Sequence, residues 1–471
     1  MESAVHSACP HFFAHCFDYD RIISMDSGSL RKAFLNFFEQ RGHAIVPSSS
    51  LIPDDPSVLL TTAGMQQFKP YFIGKADPIK DFGSLNTASI QKSFRTSDID
   101  EVGDERHNTF FEMMGNFSFG GYFKKEAITY GYDFLKSVLG LEIDYVTVFD
   151  PEKVPEGDWR KHGVPFDEES YELWKKIGMP ESKIRREGVD NFWGPTGGEG
   201  PCGPTTEIYI DGIEVWNIVF NQFYCDKDAK LTPLKIQGVD TGMGLERLAL
   251  VSQFPGQAGK KTIFDTDLFI SLTAKLPTRM ESREKRIVAD HIRAIAFLIS
   301  DGVRPSNRDQ GYVLRRLIRR VIVHQRLASQ GSFSGEDIIS FDVTELLGLV
   351  VDNYKNFYEN LDKEVIWAVF NEEWGRFAKT ILSGLHELKQ IENINAQVAF
   401  KLYESFGLPY EAIKELGGER TKNLNREDFD IEFKKHQEIS RTGQERKFGG
   451  HGLLLDTGEL KAANEEELNK V

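Results

Sequence analysis

The chain has 471 residues, of which 40% are hydrophobic and 27% charged; this is a globular composition, and the length calls for about two to four domains rather than one core. A formal net charge of −15 argues against indiscriminate polyanion binding, because affinity for nucleic acid comes mainly from lysine and arginine, but it leaves room for a local basic face. No apolar run approaches the roughly 18 residues of a membrane span, the N-terminus lacks a secretory pattern, and four scattered cysteines, Cys9, Cys16, Cys202 and Cys225, make no disulfide framework, so a reducing cytoplasm is the simplest address.

Residues 1–24 read as an unstructured extension. His11, His15 and Cys16, with Cys9 nearby, have the chemistry of metal ligands, but Phe12 and Phe13 crowd them and no second knuckle follows, so no zinc is expected. An amphipathic helix follows, with Ser29 as its N-cap and Leu30, Ala33, Phe34, Phe37 and Phe38 at helical spacing. From about Ala44 to Val251 the chain is rich in strands and loops. Gln91 to Phe119 reads as a β-hairpin: two apolar runs flank a polar, acidic loop from Asp98 to Arg106. Its Arg95, beside an exposed aromatic, suits a clamp for a phosphate and a flat ring, since a guanidinium fork matches phosphate oxygens and an aromatic face stacks on a base; a surface arginine beside core phenylalanines is the plainer alternative.

Further strands are expected at Val146–Phe149, Glu207–Ile210 and Val215–Phe223, with helices at Ala127–Leu139 and Glu169–Ile177 and a Gly/Pro break from Gly194 to Pro204. The fold class read from this mixture is α+β, an antiparallel sheet flanked by helices. The Gly-rich break has no Lys-Ser or Lys-Thr ending, which excludes a P-loop. Asp240 to Leu248 passes from a strand through Gly242 and Gly244 into a helix bearing Arg247, placed to face phosphate. After a linker at residues 253–261, helices dominate: Ser282–Ser300, Gly311–Ser329 and a pattern from Phe341 to about Ile391. The second carries an apolar stripe, Val313, Leu314, Leu317, Ile318, Val321 and Ile322, and a crowd of arginines, Arg315, Arg316, Arg319, Arg320 and Arg326, read as a phosphate-meeting face against the alternative of a solvated one. The segment from Arg426 to Val471 is charged and weakly patterned.

Taken together, the first long helix, the hairpin with its arginine and the glycine-rich strand entering a helix resemble the three signature motifs of class II aminoacyl-tRNA synthetases. More narrowly, Thr62–Phe68, Asp98–Phe119, Asp190–Trp193, Gly200–Glu207, Trp216–Phe220, Asp240–Leu248, Ala289–Gly302 and Pro305–Arg320 resemble the alanyl-tRNA synthetase family, from about Ser29 onward. That resemblance implies a catalytic domain at residues 25–255, an all-α tRNA-recognition domain at 262–460 and, at 461–471, the edge of an editing domain that would follow. It implies ATP and Mg²⁺ as cofactors, and L-alanine and the tRNA(Ala) acceptor stem as partners.

Position by position, the resemblance places Arg95 on the α-phosphate, His107 on ATP, Phe111 at the adenine, Arg247 at the terminal phosphates and Asp240 on the alanine amine. Met65, Trp193, Asn217, Val219 and Gly242 become walls of the side-chain pocket, and Glu207 and Glu214 candidate Mg²⁺ ligands. The G:U pair of the acceptor stem falls to Asn307 and to Glu404, which stands where the family pattern has aspartate; the four arginines Arg315, Arg316, Arg319 and Arg320 would meet tRNA phosphates. With no editing domain in view, alanine charging without clearance of mischarged serine or glycine is expected, and a monomer. Two rival readings are an activator that passes alanine to a carrier protein, which would not need the Asn307 string, and a non-catalytic tRNA- or alanine-binding paralogue, which would be expected to lose Arg95, Asp240 or Arg247.

Overall fold

The first helix, α1 (Ser27–Glu39), starts where Asp26 Oδ1 accepts the Ser29 N–H at 2.6 Å, so the cap lies three residues before the serine the sequence singles out. Its Leu30, Phe34, Phe37 and Phe38 are buried, as the helical period requires. The computed structural model describes residues 25–55, 58–195, 198–257, 259–329 and 341–436; the N-terminal extension and the end of the charged tail lie outside them. The described residues fall into two compact units, one built from residues up to Leu317 with His324–Phe370, the other from Ile318–Val323 with residues from Asn371.

The first unit holds a sheet of nine strands: β1 (Ala44–Ile45), β2 (Asn86–Phe94), β3 (Phe110–Ser118), β4 (Tyr145–Phe149), β5 (Ile184–Glu187), β6 (Phe192–Trp193), β7 (Gly200–Ile210), β8 (Ile213–Cys225) and β9 (Leu231–Gly244). Their order is β1-β2-β3-β9-β8-β7-β4-β5, with β6 on β7. The pairs are antiparallel except β1–β2 and β4–β5 near the two edges, so the sheet is mixed but mostly antiparallel. The expected hairpin forms: β2 and β3 pair from Asn86↔Ser118 to Phe94↔Phe110. The Gly/Pro run is only partly a break, because β7 begins at Gly200. A Cβ on Gly203 would stand 1.8 Å from the Phe220 carbonyl oxygen, so the close approach of β8 needs glycine there.

Strand alternation divides the sheet into two faces. Trp216 and Ile218 of β8 face the helical side, where Phe34 and Phe38 of α1 lie 6.0 and 6.3 Å from the Trp216 ring. The helices α2 (Lys124–Tyr132) and α3 (Glu168–Ile177) also belong to this unit; the first passes into a wider turn at Asp133–Val138, where the sequence suggests one continuous helix. The opposite face presents Asn217, Val219, Asp240 and Gly242, under a tight turn at Gly64–Phe68. There β9 runs directly into α4 (Leu245–Gln253).

The helical region continues with α5 (Ser282–Ser300), α6 (Asp309–Ser329), α7 (Val343–Tyr354), α8 (Lys363–Phe377), α9 (Ile381–Gln390), α10 (Ala396–Phe406) and α11 (Tyr410–Gly417). The pattern read from Phe341 to Ile391 is thus three helices. All six residues of the apolar stripe of α6 are buried. In the first unit α5 lies against the sheet through Phe297, whose ring stacks on Phe110 at 4.1 Å. In the second unit the core gathers Ile381, Leu385, Leu388, Leu402, Ile413 and Phe429. Among the described residues no helix is long and apolar enough to cross a membrane.

Candidate active site

Arg95 is the first residue after β2, and its N–H donates to Thr109 O at 2.9 Å, closing the base of the hairpin loop. Phe111 sits opposite Ser93 on β3, half-buried, and the Arg95 guanidinium carbon lies 4.9 Å from the centre of its ring. Arg247, in the first turn of α4, donates from Nη1 to Glu214 Oε2 at 3.0 Å and to Glu214 O at 3.1 Å. These side chains border a cleft of about 240 Å³ together with His107, Gly242 and residues the sequence reading passed over, Asp98, Arg106, Asn108, Met113, Val215 and Glu246. Several of the latter lie on the Asp98–Arg106 loop or its continuation. Their position between an arginine and an aromatic that line the same cleft was the available signal.

The cleft is rich in charge of both signs. Burial lowers the Arg95 pKa, opposed by Asp98 and reinforced by Arg247, yet a guanidinium stays cationic at any physiological pH. His107 is half-buried and its Nδ1 lies 2.5 Å from Asp104 Oδ2, which orients the ring. Arg95, Arg106 and Arg247 at one opening make a setting for a polyphosphate, and Phe111 beside them offers a flat apolar face.

The neighbouring strands supply a second chemistry. In the β8–β9 ladder Asn217 is opposite Gly242 and Val219 opposite Asp240. Asp240 is 5% exposed; burial pushes its carboxyl up to about 7. Among the described residues no hydrogen bond or ion pair satisfies that carboxyl, an expensive condition unless a ligand supplies the partner. A Cβ on Gly242 would be 3.1 Å from Met113 Sδ. The same sulfur accepts the Gly64 N–H at 3.2 Å, so the turn bearing Met65 is drawn over Gly242. Met65 and Trp193 belong to one apolar cluster with Phe68, Phe72, Phe117 and Phe119. The structure therefore brings all of the expected side-chain pocket residues to one face of the sheet or its cover.

Glu207 is nearly buried, and its carboxyl is raised to about 7 by burial and then by Glu214. Tyr209 donates to its Oε2 at 2.8 Å and Asn217 to its Oε1 at 3.2 Å. Among the described residues no group of three metal-ligating side chains occurs. Two neighbouring carboxylates fit Mg²⁺ nonetheless, because that ion commonly takes only one or two of them and fills its sphere with phosphate oxygens and water.

The residues expected to meet tRNA lie outside this cleft. Asn307 is exposed, with its Oδ1 accepting from Arg315. Arg316 is 12% exposed, 3.9 Å from Asp100. Arg319 donates to Glu373 Oε1 at 2.8 Å and Gly407 O at 3.0 Å, while Arg320 is 1% exposed and ion-paired with Glu415. All four are engaged within the fold, Arg315 with Asn307, Arg316 beside Asp100, and Arg319 and Arg320 with acids of their own unit; Arg320 is buried and the other three are partly open to solvent. Glu404 is exposed, 2.8 Å from His436 Nε2.

A family model described as tRNA synthetases class II (A) matches residues 29–468. An alanine–tRNA ligase of Rubrobacter xylanophilus is 39% identical over 468 residues, covering 89% of this chain and 50% of its own length. One of Borrelia hermsii is 38% identical over 471 residues, covering 90% and 75% respectively, and one of Thermotoga petrophila 41% over 456 residues, covering 88% and 49%. The chain spans about half the length of most curated relatives it matches.

Proposed function

The chain belongs to the class II (A) tRNA synthetase family, and from that premise we propose that it is an alanine–tRNA ligase: it activates L-alanine with ATP, releases pyrophosphate and transfers the alanyl group to the 3′ end of tRNA(Ala). The observation that carries this reading is the buried, unpartnered carboxyl of Asp240 beside Val219. A lone carboxylate in an apolar niche suits one small ammonium-bearing ligand, and the Met65, Trp193 and Val219 surroundings suit a methyl side chain.

With the amine on Asp240, the alanine carboxylate is directed toward the cleft mouth. There Arg95 binds the α-phosphate and stabilises the charge that builds as the carboxylate oxygen attacks it. Phe111 stacks on adenine, His107 borders the base, and Arg247 faces the terminal phosphates once it lets go of Glu214. The attacking carboxylate is already ionised at neutral pH, so no general base is needed; catalysis is positioning and charge stabilisation. Glu207 and Glu214 would hold Mg²⁺, which when bound neutralises phosphate charge. Asn307 and Glu404 read the G:U pair of the acceptor stem, and Arg315 and Arg316, both partly exposed, meet its phosphates. The free thiols of Cys202 and Cys225 accord with a reducing, cytoplasmic setting.

The test is ATP–pyrophosphate exchange with each amino acid, followed by transfer to tRNA. Exchange with alanine and transfer to tRNA(Ala) is the expected result. Exchange without transfer would favour a carrier-protein activator, and no exchange a binding paralogue.

A further inference from the structure

Behind the wall that carries Phe111 and Arg247 lies a buried set of charges. It consists of Arg31 with Glu112 and Arg293 with Glu246, closed by Tyr354 and Tyr358, none more than 6% exposed. The two acids and two arginines balance. Arg293, on α5, is fully buried, and its Nη2 donates to Phe110 O at 2.6 Å and to Glu246 Oε1 at 2.7 Å, while Nη1 donates to Tyr354 Oη at 3.1 Å. Glu246 in turn accepts the Glu112 N–H at 3.2 Å. Phe110 immediately precedes Phe111, and Glu246 immediately precedes Arg247. One guanidinium therefore ties together the two backbone segments that present the ring and the cation of the cleft, from 183 residues after Phe110 and 47 after Glu246.

We propose that Arg293 is a positioning residue for the nucleoside triphosphate, setting the spacing between β3 and the start of α4 and through it the placement of Phe111 and Arg247. This rests on the reading of the cleft as the ATP site. Stability alone does not account for the arrangement, because a buried ion pair is often matched or bettered by apolar residues of the same volume. What an apolar pair cannot do is hold three acceptors on β3, α4 and α7 at once, which is the property of the arginine fork.

The discriminating variant is Arg293→Lys, which keeps the charge opposite Glu246 but cannot span the three acceptors. KM for ATP and for alanine in pyrophosphate exchange, MgATP affinity by calorimetry and the melting temperature are measured in parallel, with Phe111→Ala and Arg247→Ala as references. The expected result is a rise of about tenfold or more in ATP KM and Kd, the scale on which small misplacements act, with alanine KM and melting temperature little changed. Tyr354→Phe, which removes one anchor only, is expected to move ATP KM the same way by a smaller factor, and it serves as the test if the lysine variant does not fold. If the references weaken ATP binding and neither Arg293→Lys nor Tyr354→Phe does, the positioning role is overturned while the cleft reading stands. Equal losses for ATP and alanine that track the melting temperature overturn it too. If the references leave ATP binding untouched, the cleft reading itself fails and the proposal with it.

Discussion

Replacing Asp240 with asparagine should make the protein more stable and less able to bind alanine. In the fold the carboxyl titrates near 7 instead of 3.8 because it is buried, so between those values the native state keeps a proton that the unfolded chain has released. Stability therefore falls as pH rises from about 4 to about 7 and is flat above, and the ionised carboxylate costs about 4 kcal/mol at pH 8, at 1.36 kcal/mol per decade. Asp240→Asn removes that slope: urea unfolding should show wild type and variant nearly equal at pH 4, with the variant ahead by up to this amount at pH 8. An ammonium ligand reverses the balance, because it needs the charged form. Alanine KM in pyrophosphate exchange should thus fall by about tenfold between pH 6 and pH 8 in the wild type, as the ionised share grows. In the variant it should be pH-independent and raised by roughly a hundredfold, the order of losing one partner of a buried charge pair. Parallel stability profiles for the two proteins, or equal losses of alanine and ATP affinity, would refute the argument.

Arg95→Ala should cost about 3 kcal/mol in alanine activation, roughly a hundredfold in exchange rate, as losing a charge-stabilising donor does; near-normal exchange would sink that role. Gly242→Ala should fold, since its Cβ meets only the flexible end of Met113 at 3.1 Å, but it should lower alanine exchange relative to glycine exchange by about tenfold, the worth of one methyl in an apolar pocket. An unchanged ratio would move the pocket elsewhere. Asn307→Ala and Glu404→Ala should each erode the preference for G:U over G:C acceptor stems by about tenfold, the scale of one lost hydrogen bond. Discrimination intact in both would end the base-reading assignment.

Local pattern carried much of this architecture. The hairpin, the strand running through Gly242 and Gly244 into a helix, and the apolar stripe of α6 depend on periods of two and 3.6 residues and on turn chemistry, which a sequence displays openly. The residue types that a phosphate clamp would need, a guanidinium and an aromatic, were equally visible in the hairpin, because their chemistry does not depend on neighbours. Period cannot say which of several arginines on one helix turns inward. Only packing settled that Arg320 is consumed by Glu415 and Arg319 by Glu373. Nor does composition reveal that the carboxyl of Asp240 would be left without a partner, since that is a statement about every atom around it. The same holds for Arg293: on a helix wheel it is a polar residue on a buried face, an apparent error of patterning. It becomes intelligible when Phe110 O, Glu246 and Tyr354, remote in the chain, converge on its fork. Local sequence determined which elements form and what chemistry they hold. Long-range contact decided which charges are spent in holding the fold and which remain for a ligand, because burial and pairing are properties of the assembled chain alone.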